Sequence, residues 1–370
     1  MKKLALKLAL LFSAALLICS CNKNEEYPMF WTWLEDIPSI DMESAFTHME
    51  EAGLDAVMLH APSVEAYKKD VEIARRHGIK VYAWVWTLNP PRQERAPMLE
   101  EHPDWFSVNR NGESVADHKA YVNSYKFLCP AIPEVREYLR KKVEDIVAVD
   151  GVEGICLDYC RLIDCVLPIS LAYNYNLRQD TEVWPEYDYG YHPAMLEKFE
   201  KEYGYDPRDQ EDPSRDEKWC EFRCDQVTDL VNEICAAVHA AGKKVSADVF
   251  PGPKSHAYWM VRQEWNKWDI DMVFPMNYND FYLQPAEWVG EVTEEEVKSV
   301  PGKPVISGLF ICREWKRKVE LEDPEQSGLI PAEMATAVQG ARQAGAAGIC
   351  LFTPGSMTPE HWEALAAALK

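Results

Sequence analysis

The sequence is poor in positive charge. Its 370 residues carry 39 Lys and Arg against 61 Asp and Glu, a formal net charge of −22. Neutralising phosphates needs a basic face, so no nucleic-acid partner is expected, and charge alone would not hold the chain on anionic lipid. Glycine is scarce, at 17 residues. It forms neither a Walker loop nor a Gly-rich turn after the first strand, which removes the phosphate-cradling motifs of nucleotide enzymes. No Ser sits in a nucleophile elbow, no Cys has a neighbouring His, and no zinc spacing such as His-Glu-x-x-His occurs. No metal and no cofactor is expected. Of 11 cysteines, nine remain once Cys19 and Cys21 are set aside. An odd number leaves at least one unpaired within the chain, and buried small hydrophobes are the simplest reading.

A bilayer-spanning apolar run is missing at the N-terminus as well. Leu8 to Ile18 follows the basic start Met1-Lys2-Lys3 and Lys7. It is shorter than the ~20 residues a membrane helix needs, but it suits a secretory leader. It ends in Leu17-Ile18-Cys19-Ser20-Cys21, which resembles a bacterial lipobox with Cys21 as the lipidated residue, since Ser20 is small and Ile18 is not. An ordinary signal peptide is the alternative. The expected organisation is a leader over 1–20, a tether over 21–28 and one domain over 29–370. An outer-membrane lipoprotein, periplasmic or surface-facing, follows from that reading. Loss of Lys2, Lys3 and Lys7 with the leader would move the charge from −22 to −25.

What is abundant is short apolar runs and aromatics, among them 13 Trp. Strands are predicted at Met29–Leu34, Ala56–His60, Lys80–Trp86, Gly154–Asp158, Lys244–Val249, Met272–Asn277, Pro304–Phe310 and Gly348–Phe352. Between them lie helical patterns such as Val135, Leu139, Val143, Ile146 and Val147. Near-continuous apolar strands alternating with amphipathic helices indicate a parallel sheet covered on its outer side. Eight units indicate an α/β fold of the (β/α)8 TIM-barrel type; an open doubly wound sheet is the alternative. Gly53, Gly78, Gly242 and Gly345 each fall between a helix and the next strand, as helix stops. The connections after the third and fourth strands are long and rich in Trp and Tyr, and are expected to wall a cleft.

Catalytic groups of such barrels sit at the C-terminal ends of strands. Those ends carry carboxylates among aromatics, which suits a sugar: its C–H face stacks on Trp or Tyr, and its hydroxyls bond to polar groups. Glycosidic cleavage typically needs two carboxyls, one protonated and one ionised. Asp158 closes an otherwise apolar strand, and Asp248 closes the next one. They are the candidate catalytic pair, on adjacent strands and close enough for a retaining geometry. Candidates for binding substrate are Trp33, His60, Trp86, Tyr159, Arg161, Asn277, Tyr278 and Asp280. Trp31 and Trp84 are assigned to barrel filling, and the acidic stretch Glu291 to Glu296 to a solvated helix start.

Ordered blocks carry a family resemblance from about Met29 to Thr353. They include Val81-Tyr82-Ala83-Trp84 with Asn89-Pro90, His102-Pro103-Asp104-Trp105, Gly154-Ile155-Cys156-Leu157-Asp158-Tyr159-Cys160-Arg161, Trp219 with Arg223, and Pro275-Met276-Asn277-Tyr278. The chain resembles the glycosyl hydrolase-like family 10 of bacterial lipoproteins. That resemblance implies a glycan substrate, peptidoglycan or another polysaccharide. It makes Asp158 the principal site residue with Arg161 as its partner. Leu162-Ile163 replaces the family's Tyr-Pro, which implies an altered subsite. The second carboxylate is inferred from the strand ends and not from the resemblance. Two alternatives are a glycan-binding lipoprotein without turnover and a metal-dependent hydrolase using His60, Asp158 and Asp248.

Overall fold

The computed structural model describes residues 29–122, 124–311 and 328–369. Cys21, Arg313 and Glu314 lie outside them. Eight parallel strands run β1 (Phe30–Glu35), β2 (Ala56–His60), β3 (Lys80–Trp86), β4 (Val152–Asp158), β5 (Lys244–Val249), β6 (Met272–Pro275), β7 (Ile306–Phe310) and β8 (Gly348–Phe352). Their order is β6-β5-β4-β3-β2-β1-β8-β7. Bridges from Val273 to Val305 and from Met276 to Gly308 join β6 to β7 and close the barrel.

The layers follow from side-chain period. Alternate residues point inward on each strand, so Trp31, Met58, Tyr82, Cys156, Phe274 and Cys350 stack into a buried interior. The other set packs against the helices α1 (Met42–Glu51), α2 (Val64–Arg76), α3 (Pro133–Val147), α4 (Glu217–Ala240), α5 (Trp288–Ser299), α6 (Pro331–Gln343) and α7 (Pro359–Leu369). The apolar stripe of α3 is buried at all five positions read from the sequence. Gly53, Gly78, Gly242 and Gly345 adopt left-handed backbone at the helix ends, a conformation that costs glycine little. After β5 the chain makes only short helical turns, Pro253–Ala257 and Tyr258–Val261. Trp265 and Trp268 follow them, their indoles donating to Phe250 O (3.0 Å) and Thr228 Oγ1 (3.2 Å).

The two long connections fold together. Antiparallel bridges tie Phe106 to Leu128 and Asn109 to Tyr189. A buried ionic strut pins them to α4: Arg223 donates to Asp188 Oδ1 (2.6 Å) and Tyr189 O (2.9 Å), while Tyr191 donates to the other Asp188 oxygen (2.7 Å). Phe106, Tyr189 and Tyr191 are therefore buried among other side chains, while other residues of the inserts, among them Arg110, Glu182 and Val183, do wall a cleft, as the sequence suggested. The second insert keeps a small cluster of its own, Leu167, Ala172 and Leu177 with Trp184 and Tyr187 packed on it.

Gly308 sits where β7 approaches both β6 and the interior. A Cβ there would lie 2.7 Å from Pro275 O and 3.3 Å from the Trp33 ring, so the seam needs glycine. Gly308→Ala is expected to destabilise the protein by ~1–3 kcal/mol, measurable by urea denaturation; an unchanged midpoint would show that the seam is looser than described.

Candidate active site

The register of β4 on β5 pairs Leu157 with Ala247, which sets Asp158 and Asp248 side by side one step nearer the barrel mouth. Neighbouring strands lie ~4.8 Å apart, and both side chains fall on the inward face. Asp158 is 8% exposed and Asp248 2%. Indole N–H groups from two other strands hold them. Trp84 Nε1 donates to Asp158 Oδ2 (3.1 Å), and Trp33 Nε1 donates to Asp248 Oδ2 (3.0 Å).

Asp158 receives a second bond, from the Tyr159 backbone N–H to Oδ1 (2.6 Å). Tyr159 has φ +57°, a left-handed backbone that a bulky residue seldom adopts, and that turn aims its N–H back at the carboxyl. Its ring packs against Trp86 and Phe127.

Both carboxyls are pushed above the usual Asp range. For Asp158 burial dominates, opposed by the Tyr159 N–H, the positive charge of Arg161 and the Trp84 bond. For Asp248 burial dominates and the charge of Asp158 adds to it, opposed by Trp33, Cys156 and Trp84. Two carboxyls in one dry site cannot both ionise easily. The pair holds a proton at pH values where exposed Asp would not, and Asp248, more buried and with Oδ1 free of any hydrogen bond, is its better seat.

Tyr278 stands near the pair and keeps its phenol proton, through burial and the charge of Asp248. His60 is stacked on Trp86 (5.4 Å between centroids), and its Nδ1 faces Trp84 O at 3.1 Å. Burial lowers its pKa, which leaves it neutral at pH 7. Among the described residues no group of three or more His, Cys, Asp and Glu is placed to hold a metal. The eight described cysteines are all free and buried.

Three sequence-derived placements are corrected. Arg161 does not pair with Asp158: it donates to Asp164 Oδ2 (2.6 Å) and to Tyr125 OH (3.0 Å), with its guanidinium among the Tyr125, Phe127, Tyr159 and Phe250 rings. Asp164, three residues on, is nearer and equally buried. Asn277 points away from the barrel axis. Its Nδ2 donates to Glu296 Oε2 (3.0 Å), Ser307 Oγ (3.0 Å) and Thr293 Oγ1 (3.2 Å). Asp280 is buried and accepts from Gly328 N (2.6 Å), so it anchors backbone. Trp84, assigned to filling, is part of the site. Its sequence position two residues before Trp86 was compatible with that role, but nothing local marked its indole as a donor.

A cavity of about 770 Å³ opens between the ends of β1 and β8 and α1, lined by Trp33, Trp84, Glu35, Phe352, Thr353 and Trp362 among others; neither Asp158 nor Asp248 lines it. Trp33 and Trp84 thus present one side to the cavity while their N–H groups hold the carboxyls behind them.

The model of a family described as hypothetical glycosyl hydrolase 6 matches residues 43–159, a stretch that ends just past Asp158. The match supports a glycosidase-like family, at a different family number from the one the sequence blocks resemble. A search of curated proteins gives no match. Among solved structures, the chain is similar to the PgaB (BpsB) glycoside hydrolase domain of Bordetella bronchiseptica, with 12% identity, 92% of this chain and 98% of that one covered, and a TM-score of 0.64. The β-galactosidase of the psychrophilic Marinomonas ef1 gives 13%, 92% and a TM-score of 0.60, but this chain spans 59% of its length. The catalytic domain of the Paenibacillus polymyxa β-amylase gives 10%, 91% and 95%, with a TM-score of 0.56. At these identities the likeness establishes the fold: a TIM barrel of the kind found in glycoside hydrolases.

The acidic stretch before α5's end is not wholly solvated. Glu296 is fully buried, accepting from Asn277 Nδ2 and Gly252 N (3.1 Å), and burial pushes its pKa up to about 8. A raised carboxyl pKa means that the folded state binds more protons than the unfolded one between ~4.5 and that value. The stability it contributes is present below ~4.5 and is lost as pH rises through about 8. Between pH 4.5 and 8, Glu296→Gln is expected to gain on the wild type by on the order of a few kcal/mol, read from urea unfolding at each pH. Parallel curves for the two proteins would contradict the burial of this carboxyl.

Proposed function

We propose that this protein is a glycoside hydrolase acting on a glycan through Asp158 and Asp248. The observation that carries the reading is the in-register carboxyl pair at the barrel mouth, both members buried. Glycosidic cleavage asks for that combination: an acid to protonate the leaving oxygen and a carboxylate to attack the anomeric carbon or activate water. Neighbouring strands favour a separation near the ~5 Å of retaining enzymes over the wider gap of inverting ones. Tyr278, a neutral phenol beside the pair, would bond to a sugar hydroxyl. Trp33, Trp86 and His60 supply flat faces for the sugar's C–H side, and Tyr159 orients Asp158 through its backbone. The resemblance to glycosidase-like families supports a sugar polymer as substrate.

The burial of Asp248 behind Trp33 and Trp84 favours a second reading, a barrel that binds glycans without turnover. A panel of cell-wall and plant polysaccharides distinguishes them. The wild type is expected to release reducing ends from at least one polymer, and Asp158→Asn and Asp248→Asn each to lose at least ~100-fold in kcat/KM with glycan affinity kept. Binding with no turnover at any pH supports the second reading, and full turnover in both variants removes the pair from the mechanism.

We further propose that Cys21 is lipidated and holds the barrel at the outer membrane, supported by the apolar run before Ser20 and by the weakness of single-chain anchors, which multiple acylation overcomes. Cys21→Ala is expected to abolish incorporation of labelled palmitate and to move the protein from the membrane to the soluble fraction. Unchanged labelling would contradict the assignment.

A further inference from the structure

Buried cations in this protein come with carboxylates. Arg161 and Arg223 each have one at 2.6 Å. Arg262 does not. It is 3% exposed, its Nε is enclosed without an acceptor, and the carboxylate that acts on it through space, Asp188, is already paired with Arg223. A buried charge without a partner is costly, which calls for a ligand or a role. Its backbone adds to the cost, with φ at +55° after the short helix Tyr258–Val261. The fold thus holds this side chain in place against two penalties.

Arg262 lines a cleft of about 1400 Å³ between the second insert, the start of α4 and Trp259. The other cations of that cleft are engaged. Arg110 and Arg215 share Asp212, and Lys218 lies over the Tyr203 ring. Asp216 is engaged too, capping α4 and accepting from Tyr205 OH (2.6 Å). Glutamates 182, 211 and 217 complete an otherwise acidic wall. Such a wall accepts hydroxyl donors, and its excess of carboxylates disfavours a polyanion.

We propose that this cleft binds a carboxylate-bearing sugar unit. The Arg262 guanidinium would take the carboxylate through two parallel N–H bonds, the acidic wall would accept from ring hydroxyls, and Trp259 would cover the C–H face. A sugar with one acid group fits this arrangement; a neutral sugar leaves Arg262 unpaired. The inference does not depend on catalysis by Asp158 and Asp248, and either can fail alone.

The test is calorimetric titration of the full chain with a neutral oligosaccharide bearing a single terminal glucuronate and with the same oligosaccharide after reduction of that carboxyl to an alcohol. The wild type is expected to bind the acidic form at least about tenfold more tightly, and less so as salt rises. Arg262→Gln is expected to erase that preference and Arg262→Lys to keep part of it, because lysine retains charge without the fork. Should Arg262→Gln fail to fold, Trp259→Ala, half-buried on the cleft wall, is expected to weaken binding of both oligosaccharides while keeping their ratio. No preference in the wild type, a preference that survives in Arg262→Gln, or acetate competing as well as the oligosaccharide would each overturn the proposal.

Discussion

Two parallel strands in register place like side chains side by side, and in this barrel the side chains at the mouth are both carboxyls. Asp158 and Asp248 sit where an apolar interior begins, so burial and mutual repulsion act on them together. Much of the surrounding structure moderates that conflict. Trp33 and Trp84 bring one N–H each from β1 and β3, and Tyr159 turns its backbone to give a third donor. None of these donors is charged. They position the pair without forcing both members to ionise, whereas an adjacent arginine would. Arg161 is instead paired with Asp164 and acts on Asp158 through space alone.

The scaffold keeps that arrangement stiff. Trp31 lies beneath the pair in the interior, with its ring edge-on to Phe274. Gly308 leaves room for the Trp33 ring at the barrel seam. Outside the barrel, the Asp188–Arg223 strut fastens the two inserts to α4, so the loops leaving β3 and β4 are braced close to the strand ends they follow. Glu296 and Asn277 do similar work between β6 and α5. A buried polar network is worth having only when its members are satisfied, and most of these oxygens and nitrogens find partners.

How far the sequence revealed this depends on the range of each interaction. Strands and helices were legible because hydrophobic period is local, and four strands, among them Lys80–Trp86 and Gly348–Phe352, kept their expected bounds. Asp158 and Asp248 were legible because a charge at the end of an apolar strand is conspicuous. The roles of Trp84, Arg161 and Asn277 were not, because each depends on which way a side chain turns between two possible partners. Arg161 could have reached Asp158, and the contest was decided by Asp164 and four aromatic rings brought in from three separate segments. Arg262 gave no signal at all in sequence, since a missing partner is visible only once every neighbour is placed. The same holds for the inserts: their aromatics announced order, but whether they faced ligand or one another was a question of tertiary packing.

The proposed chemistry needs a carboxyl pair that keeps a proton where ordinary aspartates have lost theirs. Carbon-13 NMR of protein labelled at the Asp side-chain carboxyl, titrated from pH 3 to 8 with Asp158→Asn and Asp248→Asn for assignment, measures this directly. The account predicts that one of the two signals remains protonated at pH 6, and that removing either partner lowers the titration of the other. Two signals that ionise independently near the ordinary ~3.9 would contradict it.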